Sequence, residues 1–235
     1  MGMWILDCWA GSRVQLWIKD GEKVKSVEFD YEPYFYLHLP DPHRFADMLE
    51  ALETIYRVEE CEFSTIYGKL NGYRIYCSAR EIRRVAEKIE LQTKFHARLY
   101  NVDIRIDQRF FAENDLVPAG YKDDRFNPDF SLPGLRIARV EVKGEKCYPA
   151  WDNRIAGIKL DGTVLNGAER EILEEFSHQI ELIDPDVILF PHADYWMEII
   201  LRKAERYGVR LSVSRNGRFR KLKSKSYLSY GRVLY

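Results

Sequence analysis

The spacing of apolar residues divides this chain into two successions of elements. WILDCWA, RVQLWIK and KVKSVEF are short strand-like segments, and Asp20-Gly21 makes a turn between the last two; this predicts an antiparallel meander of three strands. From Pro33 onward, YFYLHL predicts a strand and DPHRFADMLEALE a helix, with Asp41 at its N-cap and Pro42 at N1. YRVEECEF predicts the next strand, and KLNGYRIYC a hairpin arm around Asn71-Gly72. AREIRRVAEKI predicts a helix with Ile82, Val85, Ala86 and Ile89 on one face, and FHARLYNV a returning strand. The order after the meander is βαββαβ, a split βαβ arrangement in which two helices cover one face of an antiparallel sheet.

A second succession follows a segment rich in Pro, Asp, Gly and Asn. LRIARVEV, NRIAGIKL and TVLNG predict strands, and Asn166 with Glu169 predicts the start of a helix striped by Ile172, Phe176, Ile180 and Ile183. DVILF predicts a buried strand, residues 194 to 207 a helix stopped by Gly208, and RLSVS a last strand. The order βββαβαβ suits a mixed sheet flanked by helices. The expected fold class is therefore α+β followed by α/β. A ferredoxin-like domain over residues 1–105 and a linker over 106–132 precede a truncated RNase H-like domain over 133–235.

Composition narrows this reading. A chain of 235 residues, 46% hydrophobic, can hold two cores of common domain size. No apolar run approaches the roughly 20 residues of a spanning helix, and MGMWILD is too short for a signal peptide, so a cytoplasmic protein without membrane contact is expected. Cys8, Cys61, Cys77 and Cys147 form no C-x-x-C pair and read as reduced thiols in or near the core. The net charge of -1 means that any nucleic-acid contact must come from a local patch. One candidate is RNGRFRKLKSK, with Arg215, Arg218, Arg220, Lys221, Lys223 and Lys225 around a hairpin turn at Asn216-Gly217.

Four segments carry a resemblance: DYEPYFYL, LYNVDIRIDQRFFAENDLVPAG, EREILEEFSHQIELIDPDVILF and GVRLSVSRNG. In this order they resemble the N-terminal and 3'-5' exonuclease regions of archaeal family B DNA polymerases, over nearly the whole chain. YGRVLY resembles the strand that such enzymes place just before the rest of the exonuclease domain, so the chain is expected to stop inside a larger architecture, as a cut piece or a split gene. The resemblance implies a site for two divalent metals about 4 Å apart, held by an Asp-x-Glu pair on the first strand, an Asp near the start of the second helix and an Asp further downstream. The first pair falls on Glu141 and Lys143. Residues two apart on a strand share a face, so an ammonium stands where the family has a metal-binding carboxylate, and Lys143 is expected to turn toward Glu141. The second acid falls on Trp196 or Met197, neither a ligand for a hard cation, and the downstream one lies beyond Tyr235. His192 and Asp194 with Glu141 form an alternative metal set, although Asp194 also suits a helix cap.

The resemblance thus implies a chain without nuclease ligands or polymerase palm motifs, inactive alone and without a cofactor, Mg²⁺ being expected only for an intact parent polymerase. Its expected role is the non-catalytic N-terminal part of such a polymerase or of an inactivated paralogue, binding template DNA, chiefly single-stranded, and acting as a scaffold in replication or repair. The remaining polymerase domains are its expected partners, in cis or as a separate chain. The alternative is a free-standing nucleic-acid-binding module with a degenerate nuclease fold. The family also captures deaminated template bases in an N-terminal pocket, whose wall would here include Pro33, Tyr34, Ile82, Ile106 and Arg109. A separate reading places Tyr34, Tyr36, Tyr73 and Tyr76 where RNA-recognition modules carry stacking aromatics, though YRIYC lacks that signature's glycine.

Overall fold

The structure, a computed structural model, describes residues 3–11, 13–117, 120, 131–145, 152–221 and 227–235, with Tyr227 and Leu228 described by backbone alone. Strands β1 (Trp4–Ala10), β2 (Val14–Asp20) and β3 (Lys23–Phe29) form the meander. Then come β4 (Tyr34–His38), α1 (Ala46–Glu53), β5 (Arg57–Thr65), β6 (Gly68–Tyr76), α2 (Ile82–Gln92), β7 (Arg98–Tyr100) and α3 (Ile106–Glu113). The sheet order is β5-β6-β4-β7 with every neighbour antiparallel, which is the ferredoxin-like arrangement. Alternation along β4 and β6 sends Phe35, Leu37 and Ile75 into the core shared with Val85 and Ile89 of α2, as the helix stripe requires.

The second succession is β8 (Ile137–Glu145), β9 (Arg154–Leu160), β10 (Thr163–Leu165), α4 (Glu169–Ile183), β11 (Val187–Leu189), α5 (Ala193–Tyr207), β12 (Phe219–Lys221), β13 (Tyr227–Ser229) and β14 (Val233–Leu234). Its five-stranded sheet has the order β10-β9-β8-β11-β14, with β8, β11 and β14 parallel and the other neighbours antiparallel, the mixed sheet of an RNase H-like fold. Ala138, Val140, Ile158 and Ile188 pack with Ile172, Phe176 and Ile180 of α4 and with Met197 and Ile200 of α5. Each large side chain buried there contributes on the order of 1.5–3 kcal/mol.

Several local expectations are corrected. Asn71-Gly72 lies inside β6, and the hairpin turns at Ile66-Tyr67 instead. Gly72 is needed because a Cβ there would overlap the Leu37 carbonyl oxygen, so close approach and not turn geometry selects it. RLSVS forms no strand. Leu211, Ser212, Val213 and Ser214 are buried in a turn, and Val233–Leu234 is the strand that pairs with β11. The short polar side chains explain this: Ser177 donates to the Arg210 carbonyl at 2.7 Å and accepts from the Ser212 N–H at 2.9 Å, replacing ladder bonds. The α4 N-cap is Ala168, not Asn166; the Glu171 carboxylate accepts its N–H at 3.0 Å, while Ala168 has no side-chain oxygen to return the bond. Asp41 precedes a 3₁₀ turn over Pro42–Phe45 without a side-chain cap.

The chain divides into two compact units, residues 1–9, 16–27 and 117–235, and residues 10–15 and 28–116. This differs from the expected boundaries of 1–105, 106–132 and 133–235, because most of the meander groups with the C-terminal residues and α3 with the smaller unit. Burial gives the reason. Leu16, Trp17, Ile18 and Lys19 of β2 are all buried, so both faces of that strand are covered, which a free-standing meander cannot achieve.

Candidate functional site

The strand β8 separates two kinds of side chain by alternation. Ala138 and Val140 join the core under the helices, so Arg139, Glu141 and Lys143 share the opposite, solvent-facing side. Glu141 stands directly across from Lys159 of β9, and its carboxylate accepts from the Lys159 ammonium at 3.4 Å. The expected turn of Lys143 toward Glu141 is therefore corrected: Lys143 lies opposite Gly157 and has no ion-pair partner among the described residues. A directly cross-strand neighbour sits about 5 Å away between Cβ atoms, closer than the next residue on the same face of one strand, and the closer cation takes the carboxylate. Arg139, Glu141 and Lys159 line, with Ile137, Asp161 and Gly162, a shallow depression of about 370 Å³.

At the end of β8 the ladder shifts register between Lys143 and Gly144, and the Trp196 indole from the first turn of α5 lies against Gly144 so closely that a Cβ there would overlap it. Tyr195 packs edge-on to Trp196 with ring centroids 5.0 Å apart, and Asn153 donates to the Tyr195 hydroxyl. Met197 is wholly buried in the core. Both positions that the resemblance assigns to the second acid are thus filled, one by an indole over the strand and one by a thioether among aliphatic side chains. The N-cap of α5 is His192, in the left-handed region at φ 59°, and not Asp194, whose carboxylate accepts the Tyr195 N–H at 3.0 Å inside the first turn. Among the described residues, no three His, Cys, Asp or Glu side chains are grouped to hold a metal ion, and this includes the alternative set of Glu141, His192 and Asp194. Two divalent cations need clustered oxygen ligands, and the residues present do not fit them.

The basic segment is not one arm. Arg215 turns inward, with its side chain only 10% exposed, and binds Asp184, Asp186 and the Gly231 carbonyl, which corrects its assignment as a phosphate contact. Asn216-Gly217 makes its own turn, and the antiparallel pairing of β12 with β13 begins after it, at Phe219. The Arg218 guanidinium lies 3.8 Å from the Trp9 ring centroid, and Lys221 pairs with Glu198 at 2.8 Å. Arg220 is exposed, and Lys223 and Lys225 lie outside the described residues.

In the smaller unit, Tyr34 and Arg109 come together, the guanidinium 4.9 Å from the ring centroid. Arg109 is 3% exposed; it donates to the Asn101 carbonyl, and its Nε and Nη1 have no hydrogen-bond partner among the described residues. The Tyr34 hydroxyl donates to Glu113 at 2.5 Å; burial first and that carboxylate second push its pKa far above the ordinary value. Pro33 is buried, Ile82 belongs to the helix-side core and Ile106 packs against it, so the five candidates divide between a core and a Tyr-Arg pair. Tyr73 also packs on the helix side. On the other face Arg57 lies 3.6 Å from the Tyr76 ring centroid, Arg74 lies over Tyr34 and Tyr36, and Phe63 stacks on Tyr36 at 4.5 Å. These rings are covered by the protein's own groups and offer no open stacking platform for bases.

No protein-family model matches the chain. A DNA polymerase of Archaeoglobus fulgidus is 25% identical to it over 239 aligned positions, covering 87% of this chain and 30% of that enzyme. A DNA polymerase of Thermococcus kodakarensis is 21% identical, covering 87% of this chain and 13% of its own length. The solved structure of the family B DNA polymerase from Pyrobaculum calidifontis superposes on 100% of the chain and 36% of its own, with a TM-score of 0.73 and 17% identity. The chain is similar to archaeal family B DNA polymerases. It spans only about a third or less of the length of these polymerases. Within that polymerase-like fold, the sequence reading found Glu141 and Lys143 but missed Arg139 and Lys159. Arg139 was legible from the alternation of RVEVK; Lys159 was not, because its place opposite Glu141 depends on register between two strands.

Proposed function

We propose that this chain is a non-catalytic, polymerase-related N-terminal region that binds DNA, chiefly single strands, and serves as a scaffold for further polymerase domains in cis or on a separate chain. Replication or repair in the cytoplasm is the setting this reading implies, and any requirement for Mg²⁺ belongs to those further domains. The observation that carries the reading is one corner of the larger unit, where a polymerase-like fold is kept while Glu141 is tied to Lys159, Lys143 carries a positive charge and Trp196 closes over Gly144. General hydrolysis by two metals needs carboxylates where these groups stand.

Incubation with a labelled single strand in Mg²⁺ or Mn²⁺ is expected to leave the strand intact. Degradation that disappears in Glu141→Ala would overturn the non-catalytic part. A fluorescence-anisotropy titration is expected to show binding that weakens with salt and depends little on base sequence; absence of binding at low salt would overturn the DNA-binding part. No helix among the described residues is long and apolar enough to cross a membrane.

A further inference from the structure

Along the solvent-facing side of β8 and β9, Arg139, Lys143 and Lys159 stand with Glu141 and Asp161, and beyond them the exposed Arg154 and Glu145 pair with each other at 3.5 Å. Asp161 is committed locally, accepting the Arg139 backbone N–H at 2.8 Å and closing the β9–β10 turn in the left-handed region. Glu141 holds Lys159 by a long, exposed contact of 3.4 Å, the kind of pair that water and salt readily exchange. The Arg139 guanidinium and the Lys143 ammonium have no side-chain partner among the described residues. They sit four residues apart on one strand, roughly 13 Å at about 3.3 Å per residue, on either side of Glu141. A strand therefore presents two cations in a line that no carboxylate holds among the described residues, with a third that is loosely held beside them, while Glu145 at the strand's end is taken up by Arg154.

We propose that this stripe binds the phosphodiester backbone of a single-stranded nucleic acid directly, without a metal ion, through Arg139, Lys143 and Lys159. The inference rests on the DNA-binding reading above and names the surface that performs it. A site built on metal ions attracts phosphate through the cations that its carboxylates hold, so each carboxylate helps. Here the positive charges belong to the side chains, and the remaining carboxylate does the opposite: Glu141 repels phosphate and occupies Lys159. The sign of its effect is reversed, and this separates the two kinds of site.

The test is anisotropy of a labelled oligothymidylate with the whole chain, in EDTA and in Mg²⁺, across a salt series. Binding is expected to persist in EDTA and to be no tighter in Mg²⁺, which competes for the phosphates. Arg139→Ala with Lys143→Ala should weaken it and flatten the plot of log affinity against log salt by about 1.4, two contacts at about 0.7 each. Glu141→Gln should tighten binding by roughly threefold, since it removes a repelling charge and frees Lys159. Inorganic phosphate at matched ionic strength should not displace the strand. All three side chains are exposed, and unchanged melting by circular dichroism shows that a variant is folded.

Binding that is lost in EDTA or weakened by Glu141→Gln overturns the proposal in favour of a residual metal site. Displacement by inorganic phosphate overturns it in favour of a small-anion site. Wild-type binding that the double variant leaves unchanged also overturns it, while the DNA-binding reading stands on another surface. A wild-type chain that binds no strand at all overturns both.

Discussion

Two groups of charges in the larger unit have an excess of cations over acids and opposite consequences. Around Asp184 and Asp186, the side chains of Lys19, Arg136, Arg215 and Arg232 converge. Lys19 and Asp186 have no exposed side-chain surface and meet at 2.6 Å, and Asp186 also accepts the Arg136 N–H at 2.9 Å and Arg215 at 3.2 Å. Around Glu141 stand Arg139, Lys143 and Lys159, all in water and joined by one contact of 3.4 Å. Buried charges are kept only where each is answered by partners of fixed geometry, so the first group binds this fold to itself. The second group is free to bind something else. A count of basic residues cannot separate them; burial does, and it moves Arg215 from the candidate interface to the frame.

The largest effect that tests this contrast is Asp186→Ala. It leaves Lys19 buried without its carboxylate and should cost about 3–5 kcal/mol in denaturant unfolding, whereas a paired change to Lys19→Met and Asp186→Leu should recover much of the loss. A cost below about 1 kcal/mol for Asp186→Ala would place this pair with the exposed ones and remove the distinction.

The same carboxylate gives a pH signature. Burial alone would raise the pKa of Asp186, but hydrogen bonds from Lys19, the Arg136 N–H and Arg215 outweigh it and hold the pKa below its ordinary 3.8. Its contribution is therefore complete above that unfolded-state value and is lost as pH falls through the lower folded-state value. The stability gap between the wild type and Asp186→Asn should narrow on acidification through that window and stay constant above about pH 5. Across the network Arg232 is brought down to about 10, by burial first and the Arg215 charge second, so it stays charged near neutrality and adds no pH dependence there.

A smaller effect probes the end of β8 beyond Glu141 and Lys143. Gly144→Ala should cost about 1–3 kcal/mol, because its Cβ would overlap the Trp196 indole, and the cost should shrink sharply in a Trp196→Ala background. Equal costs in both backgrounds would show that strand geometry alone selects glycine there.

How much of this was legible in the sequence depended on the range of the interaction. Alternation and helix stripes gave both successions of elements, since Ile82, Val85, Ala86 and Ile89 or Ala138 and Val140 needed only local periodicity to find their faces. Lys143, Trp196 and Met197 at the positions where the resemblance expects acids were also readable, position by position. Long-range partners were not. Nothing near Lys19 announces Asp186, separated from it by 167 residues, and nothing in RNGRFRKLKSK distinguishes an inward Arg215 from an outward Arg220. RLSVS had the alternation of a strand, but Ser177 and Ser212 satisfied each other instead of a ladder.

The smallest expected effect completes the comparison. Glu141→Gln removes one carboxylate from a pair in which the Lys159 and Glu141 side chains are 45% and 64% exposed. In that setting the Coulomb attraction is weak, the side chains lose rotamer freedom by pairing, and salt screens what is left, so the change in unfolding free energy should stay within about 0.5 kcal/mol at low and high salt alike. Denaturant titrations at both salt concentrations measure it beside Asp186→Ala. A loss above about 1 kcal/mol would mean that Glu141 anchors the sheet as Asp186 anchors the meander. The β8 stripe would then be a second structural network, and its cations would be held where a phosphate could not recruit them.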